Sequence, residues 1–248
     1  FRLFNTLGFN HQFFTGGKGK VVEGVLVTGN VDLGSQVLVT RLGHEVMNVR
    51  RTLAMAAQVV EVDQGTFIVE LGGRVVGTET FRIRRSGFGD NTRTIAQGTL
   101  EIVVDGSRQT IQSALGTLGV VMSLDAYQVN VSPPSELSIR LERRGARMVS
   151  ATSSEAGVEE REYREALPQT PTVVLDGFFA HHYFFLAPYQ SPGEVSLSAI
   201  LPRRGRQSTG TLRMTTVEPV TVGGATISAQ HLELRLDGAV HDIWLDGQ

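Results

Sequence analysis

The sequence predicts a mainly β protein: a curved antiparallel sheet, or half-barrel, around one buried helix, preceded by a small β unit. Three observations predict it. From about residue 59 onward the chain breaks into short stretches of alternating apolar and polar residues, bounded by Gly-Gly, Asp-Gly and Pro turn signals. No strand–helix–strand rhythm is present, so a parallel sheet is not expected. One segment alone, Asp176 to Pro188 (DGFFAHHYFFLAP), reads better as a helix than as a strand. It runs over 177–187, with Asp176 as a favoured N-cap and Pro188 unable to continue a helix interior. Phe178, His182, Phe185 and Tyr189 recur on one face, and Phe179, Tyr183 and Leu186 load a second. A helix apolar on most of its circumference must be buried, and the hollow of the sheet is the place for it.

Composition bounds the rest. The 248 residues can bury a core, 41% of them are hydrophobic, and no apolar run approaches the ~18 needed for a membrane-spanning helix. A formal net charge of −2 gives nucleic acid or an anionic membrane surface no bulk attraction. Cysteine is absent, which excludes disulfides, thiolate metal sites and cysteine nucleophiles. The chain opens on Phe1 and closes on a turn signal, Asp246-Gly247, so residues upstream and a closing strand are expected to be missing, with one sheet edge left exposed.

In chain order, residues 1–57 form the small unit. Gly19, Gly24, Gly29 and Gly34 fall five apart, with valine pairs between them. Met47 to Ala57 (MNVRRTLAMAA) reads either as a connecting strand or short helix, or as a vestige of a secretory signal whose apolar core is too short, and a boundary falls near residue 57. Residues 58–248 form the half-barrel. Thr66 to Glu70 and Thr78 to Arg84 flank a Gly72-Gly73 hairpin turn, with Phe81 and Ile83 on one face and Arg82 and Arg84 on the other. Further strands are predicted over 99–104, 109–115, 120–124, 127–131, 137–142, 147–152, 157–163 and 172–175, consecutive ones pairing as a meander. Beyond the helix, strands are expected over 194–200, 209–217, 219–222, 226–236 and 239–245, with a basic turn at Pro202 to Gln207.

The first forty or so residues resemble the β-barrel second domain of translation GTPases in their glycine spacing, although Gly16 to Lys20 lacks the GxxxxGK[ST] spacing that wraps a phosphate. Four stretches of residues 59–248 together resemble an uncharacterised family of exported bacterial proteins: GTFIVELGGRVVGTETFRIRRSG, VVLDGFFAHHYFFLAPY, ILPRRGRQ and GGATISAQHLELRLDGAVHDIWLDG. That family is similar in outline to the periplasmic lipoprotein carriers, whose curved sheet wraps a helix. The resemblance implies a protein of the periplasm or cell envelope. It carries over no catalytic residue.

Candidate chemistry is sparse. Adjacent His181 and His182 diverge on a helix or a strand and cannot readily ligate one metal, and His44-Glu45 lacks the second histidine of HExxH because position 48 is Asn48. Across the Asp237-Gly238 turn, a two-residue loop pairs Leu234 with His241, sets His231 opposite Trp244 and puts Glu233 against Asp242; a one-residue bulge would relieve that repulsion, and both registers stay open. No G-x-S-x-G elbow surrounds Ser107, and Glu159, Glu160 and Glu162 read as a solvated face. Arg84-Arg85, Arg143-Arg144 and Arg203-Arg204-Arg206 read as solvated hairpin ends. The expected function is therefore non-enzymatic, with no cofactor and no metal. Phe178, Phe179, His182, Tyr183, Phe185, Leu186, Tyr189 and Trp244 would line a hollow for a lipid, an acyl chain or a lipidated partner. The alternative is a structural or docking subunit that contacts a larger assembly through the N-terminal unit or an exposed sheet edge. A histidine-dependent hydrolase is the weakest reading.

Overall fold

The structure, a computed structural model, describes residues 59–246 apart from 105, 133–135, 165–168, 178 and 223–224, together with the backbone of three short strands nearer the N-terminus. These three are β1 (Arg2–Asn5), β2 (Phe9–Phe14) and β3 (Leu26–Val27). Then follow β4 (Val60–Leu71), β5 (Arg74–Ser86), β6 (Arg93–Val104), β7 (Ser107–Leu118), β8 (Ser123–Val131), β9 (Leu137–Arg144), β10 (Arg147–Ser154), β11 (Gly157–Tyr163) and β12 (Thr172–Val174). A 3-10 segment, η2 (Ala180–Tyr189), leads into β13 (Glu194–Leu201), β14 (Arg206–Val222), β15 (Ala225–Leu236) and β16 (Ala239–Asp246), with short 3-10 turns η1 (Gly89–Asn91) and η3 (Pro202–Arg204). The protein is mainly β and antiparallel. Strands β4 to β11 form one meander and β13 to β16 a second, bridged by β2 against β4 and β1 against β16. The end strands β11 and β12 do not pair, so the sheet is not closed into a barrel.

Turn chemistry sets the registers. Gly72 and Gly73 both take positive φ (58° and 76°), which closes the two-residue loop between β4 and β5. Asp237 and Gly238 do the same, and the bulge-free register follows: Leu234 faces His241, His231 faces Trp244 and Glu233 faces Asp242. The two carboxylates avoid direct conflict because each has its own cation or donor. Arg235 lies 2.7 Å and Arg213 3.6 Å from Glu233, while His231 Nε2 sits 2.8 Å from Asp242.

Several expectations are corrected. The segment Val120 to Leu124 is mostly turn, because Gly119 and Met122 adopt positive φ (74° and 52°), and its valines are exposed. The two strands expected over 209–222 are one, β14, with a bulge between Met214 and Thr216. Pro219 is tolerated there because β13 accompanies β14 only as far as Arg213, leaving an edge where a missing N–H costs nothing. Among the described pairs, β12 runs parallel to β13 and β3 parallel to β16. Nor is β16 an open edge: β1 lies beside it, with Phe4 opposite Asp242. Most of the glycine-spaced run, the stretch Met47 to Ala57, His44 and the boundary near residue 57 lie outside the described residues.

The aromatic segment is the largest correction. It is a 3-10 helix starting at Ala180 and running through Pro188, rather than an α-helix over 177–187. Asp176 does not cap it; Phe179 holds the N-cap position with no side-chain hydrogen bond, and the acceptor comes from elsewhere in the fold. At three residues per turn the side chains line up in three rows, and each row carries apolar residues: Tyr183 and Leu186 in one, Phe184 in the second, Phe185 in the third. Phe184, Phe185 and Leu186 join the same core cluster as Ile83, Leu100 and Leu141 of the first meander and Leu234 and Ile243 of the second. Each such side chain stabilises by roughly 1.5–3 kcal/mol.

Strand β13 departs from alternation. Leu197, Ser198, Ala199, Ile200 and Leu201 are all buried, so this stretch is covered on both faces. On one side the Gln207 carboxamide accepts from the Arg164 amide and donates to the Arg164 carbonyl, both at 2.9 Å, and also donates to Ser198 Oγ at 2.8 Å. The end of β11 is thereby tied over β13 and β14 by a side chain that stands in for a strand residue.

Candidate functional site

Alternation along β5 places Glu79 on the face of Phe81 and Ile83, inside the protein, where it is fully buried. A carboxylate there requires donors, and η2 supplies them. Glu79 accepts from the amides of Ala180 (2.7 Å) and His181 (3.4 Å) and pairs with His181 Nδ1. The first amides of a helix have no partner of their own and carry partial positive charge, so a strand residue 101 positions away acts as the cap. Gly98 makes room for the arrangement. A Cβ at that position would stand 2.4 Å from His181 Cε1 and 2.8 Å from His181 Nδ1. Gly98→Ala is expected to destabilise by about 1–3 kcal/mol, read from the denaturant midpoint at unchanged m-value.

A second buried group adjoins it. His182 Nδ1 accepts from the Asp176 amide at 3.2 Å, so the neutral ring carries its proton on Nε2. Burial, His181 and the Arg203 guanidinium hold this imidazole well below its ordinary pKa. The Asp176 carboxylate accepts from Tyr127 Oη at 2.6 Å and from Arg203 Nε at 2.8 and 2.9 Å. Burial and the neighbouring Asp176 push the Tyr127 hydroxyl well above its usual pKa, leaving it a donor. Phe179 stacks on His182 with centroids 5.2 Å apart, and Arg203 lies 5.7 Å from the Phe179 ring centroid.

The network ties the entry of η2 to β5, β8 and η3. His181 and His182 each leave Nε2 buried without a hydrogen-bond partner. Metal binding through His182 Nε2 would cost that ring the proton its Nδ1 contact requires it to keep. Among the described residues no group of three His, Asp or Glu side chains could hold a metal ion.

An accessible site lies at the other end of η2. A cleft of about 530 Å³ opens there between the β7–β8 tip, the β9–β10 hairpin and the residues around Pro188. Its lining includes the buried core residues Leu124 and Met148 together with Pro188, Tyr189 and Val195. Tyr189 Oη donates to the Val121 carbonyl at 2.9 Å and ties the β7–β8 tip to η2. Arg143, the one charged residue among the described residues lining the cleft, donates to the Leu124 carbonyl. Two other described depressions are lined mainly by polar and charged residues. One, of about 470 Å³, lies over Thr66, Thr80 and Thr99; the other, of about 710 Å³, lies between Arg161 and Arg164 on one side and Ser196 and Thr209 on the other.

Of the residues expected to line a hollow, Tyr189 alone lines a described cleft. Phe179, His182, Phe185 and Leu186 are buried at 0–2% exposure within the core. Tyr183 is half-buried, with its hydroxyl 3.1 Å from His241 Nδ1. Trp244 stacks on His231 at 4.6 Å and donates to Glu218, and Phe178 lies outside the described residues. Sequence reasoning missed Glu79, Tyr127 and Gly98, and it placed Arg143 and Arg203 in solvated turns. Alternation from Phe81 and Ile83 was the available signal for Glu79; no local pattern marks the others.

No family model matches the chain, and neither a curated protein nor a solved structure does. No helix among the described residues is long and apolar enough to cross a membrane.

Proposed function

We propose that this is a non-enzymatic binding protein of the bacterial cell envelope, in which the curved sheet wraps η2 and a hydrophobic ligand or lipidated partner is held at the mouth of the hollow rather than within it. The single observation that carries the reading is the cleft at the end of η2. The buried core residues Leu124 and Met148 are among the residues that line its volume of about 530 Å³, within the range of small-molecule sites. The aromatic side chains of η2 fill the interior, so the ligand lies against the packed segment and not in its place. The envelope setting rests on the resemblance to exported proteins. The alternative docking role has less to support it, because the free strand β11 carries Glu159, Glu160, Arg161 and Glu162, and charge along an edge discourages strand addition.

Organic extraction of the purified protein, followed by mass spectrometry and by titration with dodecyl-chain amphiphiles, tests the reading. The expected result is a bound acyl or alkyl ligand near one equivalent, displaced in proportion by Leu124→Gln or Met148→Gln. A clean extract together with no saturable uptake would overturn it.

A further inference from the structure

We infer that the cleft at the end of η2 selects a single-chain amphiphile with an anionic head, an alkyl carboxylate or phosphate, and that Arg143 is the group that recognises it. The inference rests on the binding reading above and concerns the same cleft. The tip of the β9–β10 hairpin presents Arg143, Arg144 and Arg147, and they differ in one respect. Arg144 is neutralised by Glu142 (2.9 Å) and Glu160 (3.3 Å), and Arg147 by Glu162. Arg143 has no carboxylate within 4.0 Å among the described residues; its contact is to the Leu124 carbonyl, which fixes the guanidinium at the cleft wall and occupies part of a five-donor fork. The remaining donors keep the planar geometry that matches a carboxylate or phosphate. No other described residue lining the cleft is charged. Ser123, Thr170, Gln190 and Ser191 are neutral donors and acceptors, and Leu124, Met148, Pro188 and Val195 are apolar. One cation without a described carboxylate partner, beside Pro188, Val195 and the edges of Leu124 and Met148, is the complement of one anion on one alkyl chain.

Dodecanoate, dodecyl phosphate and dodecanol, below their aggregation concentrations, separate head from chain. Each is titrated calorimetrically into the wild-type protein, Arg143→Gln, Arg143→Lys and Arg144→Gln, with circular dichroism to establish that each variant is folded. Wild type is expected to bind at least one of the anionic ligands about tenfold more tightly than dodecanol, and the better of the two identifies the head as carboxylate or phosphate. Arg143→Gln should erase that preference while leaving dodecanol affinity unchanged. Arg143→Lys should retain part of it, and Arg144→Gln all of it. Equal affinity for dodecanol and both anions, or a preference that survives Arg143→Gln, would overturn the inference and leave the binding reading standing. Failure of all three ligands to bind would overturn both.

Discussion

Replacing Glu79 with alanine is expected to destabilise the protein by about 3–5 kcal/mol, a large share of the stability of an ordinary domain. The substitution removes one carboxylate but orphans three buried donors: the amides of Ala180 and His181 and the ring N–H at His181 Nδ1. Water has no route to replace them, because Glu79 and His181 are fully buried. Glu79→Gln keeps an acceptor and should cost less, about 1–2 kcal/mol. Glu101→Ala, on the solvent face of β6, should stay within about 0.5 kcal/mol. Denaturant unfolding followed by near-ultraviolet circular dichroism reads both the loss and the disorder of the aromatic cluster. A change below about 1 kcal/mol for Glu79→Ala would show that η2 is held by apolar packing alone.

Asp63→Asn should act in the opposite direction and depend on pH. Asp63 is 8% exposed, one of its carboxyl oxygens has no partner, and burial pushes its pKa up to about 7 from an ordinary 3.8. Between those values the folded protein holds a proton that the unfolded chain has released, so stability falls as pH rises from about 4 to about 7 and levels off above. The asparagine variant lacks this penalty. Its advantage over wild type should be absent near pH 4, grow through neutrality and approach a ceiling of about 4 kcal/mol at pH 8, the free-energy equivalent of the pKa difference. His182 contributes the opposite slope: held neutral in the fold, it costs stability as pH drops below its ordinary 6.5. Because that slope is common to both proteins, the difference between their unfolding curves isolates Asp63. An advantage that does not vary with pH would mean that Asp63 ionises in the fold as it does in the unfolded chain.

The sequence made the strands legible because their turns are written in local chemistry. Gly72-Gly73 and Asp237-Gly238 require positive φ, and alternation then assigns the faces of β5 and β15 without reference to anything distant. The aromatic segment was recognised as buried for the same reason: DGFFAHHYFFLAP has no polar side on which to meet water. Its helical type was not legible. The acceptor for its first amides is Glu79, far away in the chain, and nothing local announces it. The clefts were illegible on similar grounds. A stretch such as Arg143-Arg144 reads as one basic hairpin end, yet strand register gives Glu160 to one arginine and an apolar mouth to the other. Local pattern reports which face a residue takes; tertiary contact decides what it meets there.

The stretch of β13 that lies covered on both sides has a consequence for how the chain reaches this shape. Strand β12 packs against β8, and Ser198 of β13 is tied through Gln207 to Arg164 at the end of β11, so each meets a partner distant in sequence. During synthesis, β4 to β11 emerge first, with Ile83, Leu100 and Leu141 facing water until the last third of the chain is made. Closure is therefore a late, non-local event of the kind that makes β proteins slow to mature, and in that interval the inner face of the first meander is the surface most open to mispairing.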